Sequence, residues 1–178
     1  TKKRLYNVAL HYLSRHSATK SSLRNVLMRR VNASARAHET DSQEGERWIE
    51  ELLIELQAFG YLNDRVYAEN RARNLLARGN STRAVVIKLK QKGVDNDNIE
   101  AALAMAREYA HNLDLAAAAA LARRRRLGPF RRGVSREGQR DLDLAALARA
   151  GFSYDIARRI VEAETVDVLE AIIEEEDF

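Results

Sequence analysis

The residues of this 178-residue chain that could carry chemistry are 30 Lys or Arg, 26 Asp or Glu and four histidines, with no cysteine among them. The lack of cysteine removes disulfides, thiolate metal sites and thiol nucleophiles, and agrees with a reducing, cytoplasmic setting. His11, His16, His38 and His111 do not fall into H-E-x-x-H or any paired-ligand spacing, and His38-Glu39 is only a fragment of one. Gly79-Asn80-Ser81-Thr82 lacks the glycine-lysine-serine/threonine that cradles phosphates in a P-loop. Paired acids such as Glu50-Glu51 read as a solvated face rather than a metal site. The expectation is a protein that is not an enzyme, with no cofactor and no metal.

What remains is binding chemistry, and it is cationic. Arg123, Arg124, Arg125 and Arg126, with Arg131 and Arg132, form the densest positive site, suited to charge-assisted bonds with carboxylates or phosphates. The four consecutive arginines surround a helical turn, so they cannot all face one partner, and at least one should lie along the protein's own core. Arg78, Arg83, Lys88, Lys90 and Lys92 make a second cluster, in which Lys88 and Lys92 share a face by their i, i+4 spacing. Arg24, Arg29 and Arg30 offer a third.

The elements that position these groups are helical. Only eight glycines and one proline punctuate a chain that is 46% hydrophobic, which disfavours a turn-rich β architecture. The apolar run from Leu113 to Ala122 contains Asp114 and meets arginines, so it is too short and polar to span a bilayer, and nothing resembles a signal peptide. Leu5, Val8, Ala9, Tyr12 and Leu13 share one helical face. Leu23, Val26 and Leu27 begin another after the cap candidate Thr19. Ile49, Leu52, Leu53 and Leu56 keep a strict helical register up to Phe59, where Gly60 can end the helix. Asn63 or Asp64 caps the next helix, which Gly79 breaks. Val85, Val86 and Leu89 give a short helix ended at Gly93, and Asp95 caps another. A last trio reads as Leu113 to Arg126, then roughly Arg136 to Ala150 with Leu144, Leu147 and Ala148 inward, then a helix capped by Ser153.

Val31, Val94 and Phe152 follow the middle helix of each trio, 63 and 58 residues apart, which marks a tandem array. The expected fold is all-α, an elongated tandem array of three three-helix repeats: residues 1–62 with a polar loop at about 32–45, residues 63–112, and residues 113–178 with an acidic C-terminal tail. Charge follows this architecture. The segments 1–38, 71–92 and 115–140 are basic, while 39–64, 95–114 and Glu162 to Asp177 are acidic. The tail hides the basic character: without its eight acids the net charge of +4 would be +12. A constant rotation between repeats would line the basic helices along one side, facing a polyanion or an acidic assembly.

Phe59-Gly60-Tyr61-Leu62-Asn63-Asp64, followed by Tyr67-Ala68-Glu69, Arg73, Arg78-Gly79, Ile87, Leu89 and Gln91-Lys92-Gly93-Val94, resembles the central signature of the RecX family of recombination regulators. Ala9 to Arg15 with Ser22 to Leu27 resembles the family's first unit, and Ala148-Arg149-Ala150-Gly151-Phe152-Ser153-Tyr154 its closing motif. The resemblance covers roughly residues 5 to 162 in one order. It implies a cytoplasmic bacterial protein that binds the RecA filament and modulates it, mostly by inhibiting recombinase, ATPase and co-protease activities in DNA repair and the SOS response. The expected form is a monomer with no membrane contact and, at most, weak single- or double-stranded DNA contact.

Some positions depart from the family pattern. Ser22 replaces a glutamate, so Thr19 must cap alone. Ser81-Thr82 replaces a glycine-proline but retains capping hydroxyls, and Arg30-Val31 lacks the usual glycine. Trp48, Phe59, Tyr61, Phe152 and Tyr154 read as packing residues rather than base-stacking ones. Phe130 suits either a partner groove or a wedge of the last unit against its neighbour. The competing reading is a direct helix-turn-helix-like DNA-binding protein, and a third is a helical adaptor for another acidic partner. The acidic tail reads as a solvated extension of the last helix, with folding back on the basic side as the alternative.

Overall fold

A computed structural model describes residues 1–38, 41–132 and 136–176, and among them shows ten α-helices, two 3-10 turns and no strand. Glu39 of the histidine-glutamate fragment and Asp177 of the tail lie outside the described residues. The helices are α1 (Lys2–Leu13), α2 (Lys20–His38), α3 (Ser42–Ala58), α4 (Asp64–Ala77), α5 (Thr82–Gln91), α6 (Asn96–Arg107), α7 (Leu113–Arg125), α8 (Arg140–Arg149), α9 (Tyr154–Glu162) and α10 (Val166–Glu176). They gather into two compact units. The first is Thr1–Ala68 with Lys90–Asn98; the second is Glu69–Leu89 with Ile99–Phe178.

In the first unit α1, α2 and α3 pack on one another. Their core is Leu5, Ala9, Leu23, Leu27 and Val31 against Ile49, Leu52, Leu53 and Leu56, closed by Leu62. The four α3 residues are fully buried, as their i, i+3, i+4, i+7 spacing requires of one helical stripe. The chain crosses closely at Gly45, where a Cβ would stand 2.5 Å from Cγ1 of Val31. The polar loop expected at 32–45 is a correction. α2 continues to His38, and α3 begins at Ser42 under the Asp41 cap, whose carboxylate accepts from the Gln43 N–H at 2.8 Å. Past Val31 the helix has little core to cover, and Ala33, Ala35, Arg36 and Ala37 sustain it by intrinsic propensity instead of by an apolar stripe.

One construction occurs once in each unit. In the first, the buried Thr19 hydroxyl accepts from the Ser22 N–H at 3.0 Å, capping α2, and donates to the Lys92 carbonyl at 2.5 Å. The adjacent Lys20 N–H donates to Asp64 at 2.8 Å. Gly93 turns there with φ +75°, and a side chain on it would strike Ser21. In the second unit, the buried Ser81 hydroxyl accepts from the Ala84 N–H at 3.2 Å, capping α5, and donates to the Ala150 carbonyl at 3.1 Å. The Thr82 N–H donates to Asp114 at 2.7 Å, and its hydroxyl donates to the same carboxylate at 3.1 Å. Gly151 turns with φ +94°, its hypothetical Cβ 2.6 Å from Ser81 Oγ. A middle-helix N-terminus is therefore clamped, each time, by a carbonyl-glycine turn and an aspartate from further along the chain.

The rest of the second unit is built around α9, which packs on α7 and α8 through Ile156, Ala157, Ile160 and Val161. α8 starts at Arg140 rather than near Arg136, behind a 3-10 turn at Glu137–Gln139. Its buried face carries Asp143 and Leu147, while Ala148, expected inward, is exposed. The tail also corrects the solvated-extension reading. α9 ends at Glu162 with Ala163 as its C-cap, and α10 is a separate helix pinned by the fully buried Leu169.

Candidate partner-binding surface

The structure sorts the fourteen cations named from sequence by what the fold does with each. Arg24 is committed within the first unit: its Nη2 lies 2.5 Å from Glu46 and its Nε 2.6 Å from Glu50. Hydrogen bonds to Glu50 first and then Glu46 raise its pKa above the ordinary arginine value. Arg131 is committed more completely. Its Nη2 meets Asp143 at 2.5 Å and its Nε at 2.8 Å, while the Gly128 N–H donates to the same carboxylate at 2.8 Å. Burial works against the Asp143 charge, but Arg131 and the Gly128 amide outweigh it and hold its carboxyl below the usual range. Arg131 also has its pKa raised, by the hydrogen bond to Asp143 first. Arg24 thus forks to two acids and Arg131 makes a bidentate bond to a buried one, so both are paired within their own unit.

Arg123 stands between the groups. Its guanidinium carbon lies 5.2 Å from the centre of the Phe130 ring and its Nη2 2.6 Å from Glu170, both in its own unit. Phe130 is half-buried. Lys88 donates to Asn80 Oδ1 at 2.5 Å while remaining exposed. α5 ends at Gln91, and Lys92 follows it in the Gly93 turn.

Ten cations remain exposed and without an ion pair among the described residues: Arg29, Arg30, Lys90 and Lys92 in the first unit, and Arg78, Arg83, Arg124, Arg125, Arg126 and Arg132 in the second. Arg124 and Arg125 form the end of α7, and Arg126 is its C-cap with φ +57°, the only non-glycine residue in the left-handed region among those described. That turn ends the helix before a fourth arginine can continue its spiral. Cations here also suit the negative end of the helix dipole.

The aromatic reading needs correction. Phe152 is buried, but Phe59, Tyr61 and Tyr154 are 70%, 57% and 64% exposed. Phe59 and Tyr61 flank Gly60 beyond the Ile49 to Leu56 stripe, and Tyr154 precedes Ile156, the first buried residue of α9. Sequence reasoning also missed Tyr109, 76% exposed just past α6. Phe59, Tyr61 and Tyr109 lie past the last residues of α3 and α6, and that place beyond a helix end was the signal available for them. Among the described residues no group of three His, Asp or Glu side chains could hold a metal, and no helix is long and apolar enough to cross a membrane.

Residues 63–103 match the family model for the second three-helix domain of RecX. The regulatory protein RecX of Myxococcus xanthus (strain DK1622) is 45% identical over 160 residues, spanning 89% of this chain and 84% of that protein. Regulatory protein RecX of Agrobacterium fabrum (strain C58 / ATCC 33970) is 32% identical over 163 residues, spanning 89% and 82%. The fold is similar to the crystal structure of RecX from Lactobacillus salivarius, with a TM-score of 0.62 at 23% identity, covering 98% of this chain and 97% of that one. With two relatives above 30% identity across most of both lengths, this chain belongs to the RecX family of regulatory proteins.

Proposed function

We propose that this protein binds the RecA nucleoprotein filament and restrains its recombinase, ATPase and co-protease activities in DNA repair and the SOS response, acting as a cytoplasmic monomer without catalysis of its own. The observation that carries the reading is the sorting of the cations. Ten of them, spread over both units, are exposed and without an ion pair among the described residues, while Arg24 and Arg131 are held by acids of their own unit. Residues 1–62, 63–112 and 113–178 serve as three linked modules. Weak contacts from linked modules add through effective concentration, so a filament that repeats its acidic and phosphate groups is favoured over a free monomer. The exposed Phe59, Tyr61 and Tyr109 add apolar anchors that fit a protein surface better than a bare duplex.

The test is binding, by anisotropy, to nucleotide-loaded RecA filaments, naked single strands and duplex side by side. The regulator reading expects the filament to bind at least about tenfold tighter than its DNA alone. Equal affinity for filament and naked DNA, with a salt slope near about −0.9 per phosphate contact, would instead indicate a DNA-binding protein.

A further inference from the structure

α10 carries Asp167, Glu170, Glu174, Glu175 and Glu176 and no cation, and it is laid on a unit whose α7 ends in arginines. Leu169 fixes it there. Glu170 reaches Arg123 at 2.6 Å, and Glu176 holds Arg159 and accepts from the Asn112 amide at 2.7 Å. The Glu170–Arg123 pair differs from the Arg131–Asp143 pair in exposure: its side chains are 50% and 63% exposed, against 22% and 3% for Arg131 and Asp143. An ion pair that open is weak and exchanges readily with other anions. Leu169 nonetheless keeps the carboxylates at high local concentration.

We propose that α10 is a tethered competitor for the arginine surface at the end of α7, so that an anionic group of the RecA filament gains Arg123 only by displacing Glu170. The inference rests on the reading of that surface as a filament contact. The competition lowers affinity most at low ionic strength and fades as salt shortens the Debye length.

Truncating α10 would strip Leu169 from the core, so the test neutralises charge and leaves the packing intact. Glu170→Gln with Glu174→Gln keeps Leu169 and the Glu176 grip on Arg159. Asp97→Asn with Glu100→Gln removes two exposed acids elsewhere as the control. At low salt the α10 variant should bind RecA filaments about three- to tenfold tighter than wild type, the control less than about twofold tighter, and the difference should vanish near about 0.5 M salt. Where wild type binds filaments, no gain in the α10 variant, or an equal gain in the control, overturns the competition. A labelled single-stranded oligonucleotide of about 20 nucleotides separates the two readings. If wild type ignores filaments while the α10 variant gains on the oligonucleotide, the RecA reading falls and the competition stands; no gain on either probe ends the competition.

Discussion

The clamp at the N-terminus of α2 and the clamp at the N-terminus of α5 use the same parts with different strengths. Thr19 and Ser81 each cap their helix and donate to a carbonyl ahead of a left-handed glycine. The neighbouring amide finds Asp64 in one case and Asp114 in the other, but only Thr82 adds its own hydroxyl to that carboxylate. The comparison teaches why a hydroxyl is needed at both sites: one small oxygen must accept an amide and donate to a carbonyl at once, in a space closed to water. It also explains how Ser81-Thr82 dispenses with a proline start. At the third middle helix the pattern lapses. Gln139 at the start of α8 makes no side-chain cap, and the buried charge pair of Arg131 with Asp143 organises that region instead.

The strongest way to break the comparison is at the glycines. Gly151→Ala would strain a residue at φ +94° and push Ser81 out of both its bonds; Gly93→Ala should do the same through Ser21. Each should cost about 2–4 kcal/mol in denaturant unfolding. Unchanged melts in both would refute the clamp. Next come the hydroxyls. Ser81→Ala and Thr19→Val each lose a cap and orphan a carbonyl, for about 1–3 kcal/mol, with Thr19→Ser within about 1 kcal/mol of wild type.

Acid sharpens the contrast with the α8 region. The Asp143 pKa is lowered on folding, so its stabilising contribution is complete above its unfolded value of about 4 and is lost as pH falls through the folded value. Thermal melts from about pH 6 to about pH 3 should show that increment in wild type and lack it in Asp143→Asn. The smallest effects belong to the aspartates of the clamps. Asp114→Asn should cost more than Asp64→Asn, each at about 1 kcal/mol, because Asp114 accepts two bonds.

Much of this was legible in the sequence wherever periodicity or capping chemistry dictates structure. The α3 stripe, the Thr19 and Ser153 caps and the glycine stops at Gly60, Gly79 and Gly93 follow from local rules. The extension of α2 did not, because its apolar pattern stops at Val31 while alanine propensity carries the helix on. Arg131 and Arg132 look alike in sequence; only the fold delivers Asp143 to one of them. The hint was an acid four residues before Leu147, on the buried face of α8. Membership of a paired or unpaired class is thus a tertiary property, and so is the candidate surface.

The central claim is that the unpaired arginines bind the filament, whereas Arg24, held by Glu46 and Glu50, serves the fold. The direct test compares the affinity of two variants for nucleotide-loaded RecA filaments, with melting curves to confirm folding. Replacing Arg124, Arg125 and Arg126 together by glutamine should weaken binding at least about tenfold, and Arg24→Gln by less than about twofold. Wild-type affinity in the triple variant, or an equal loss in both, would contradict the account.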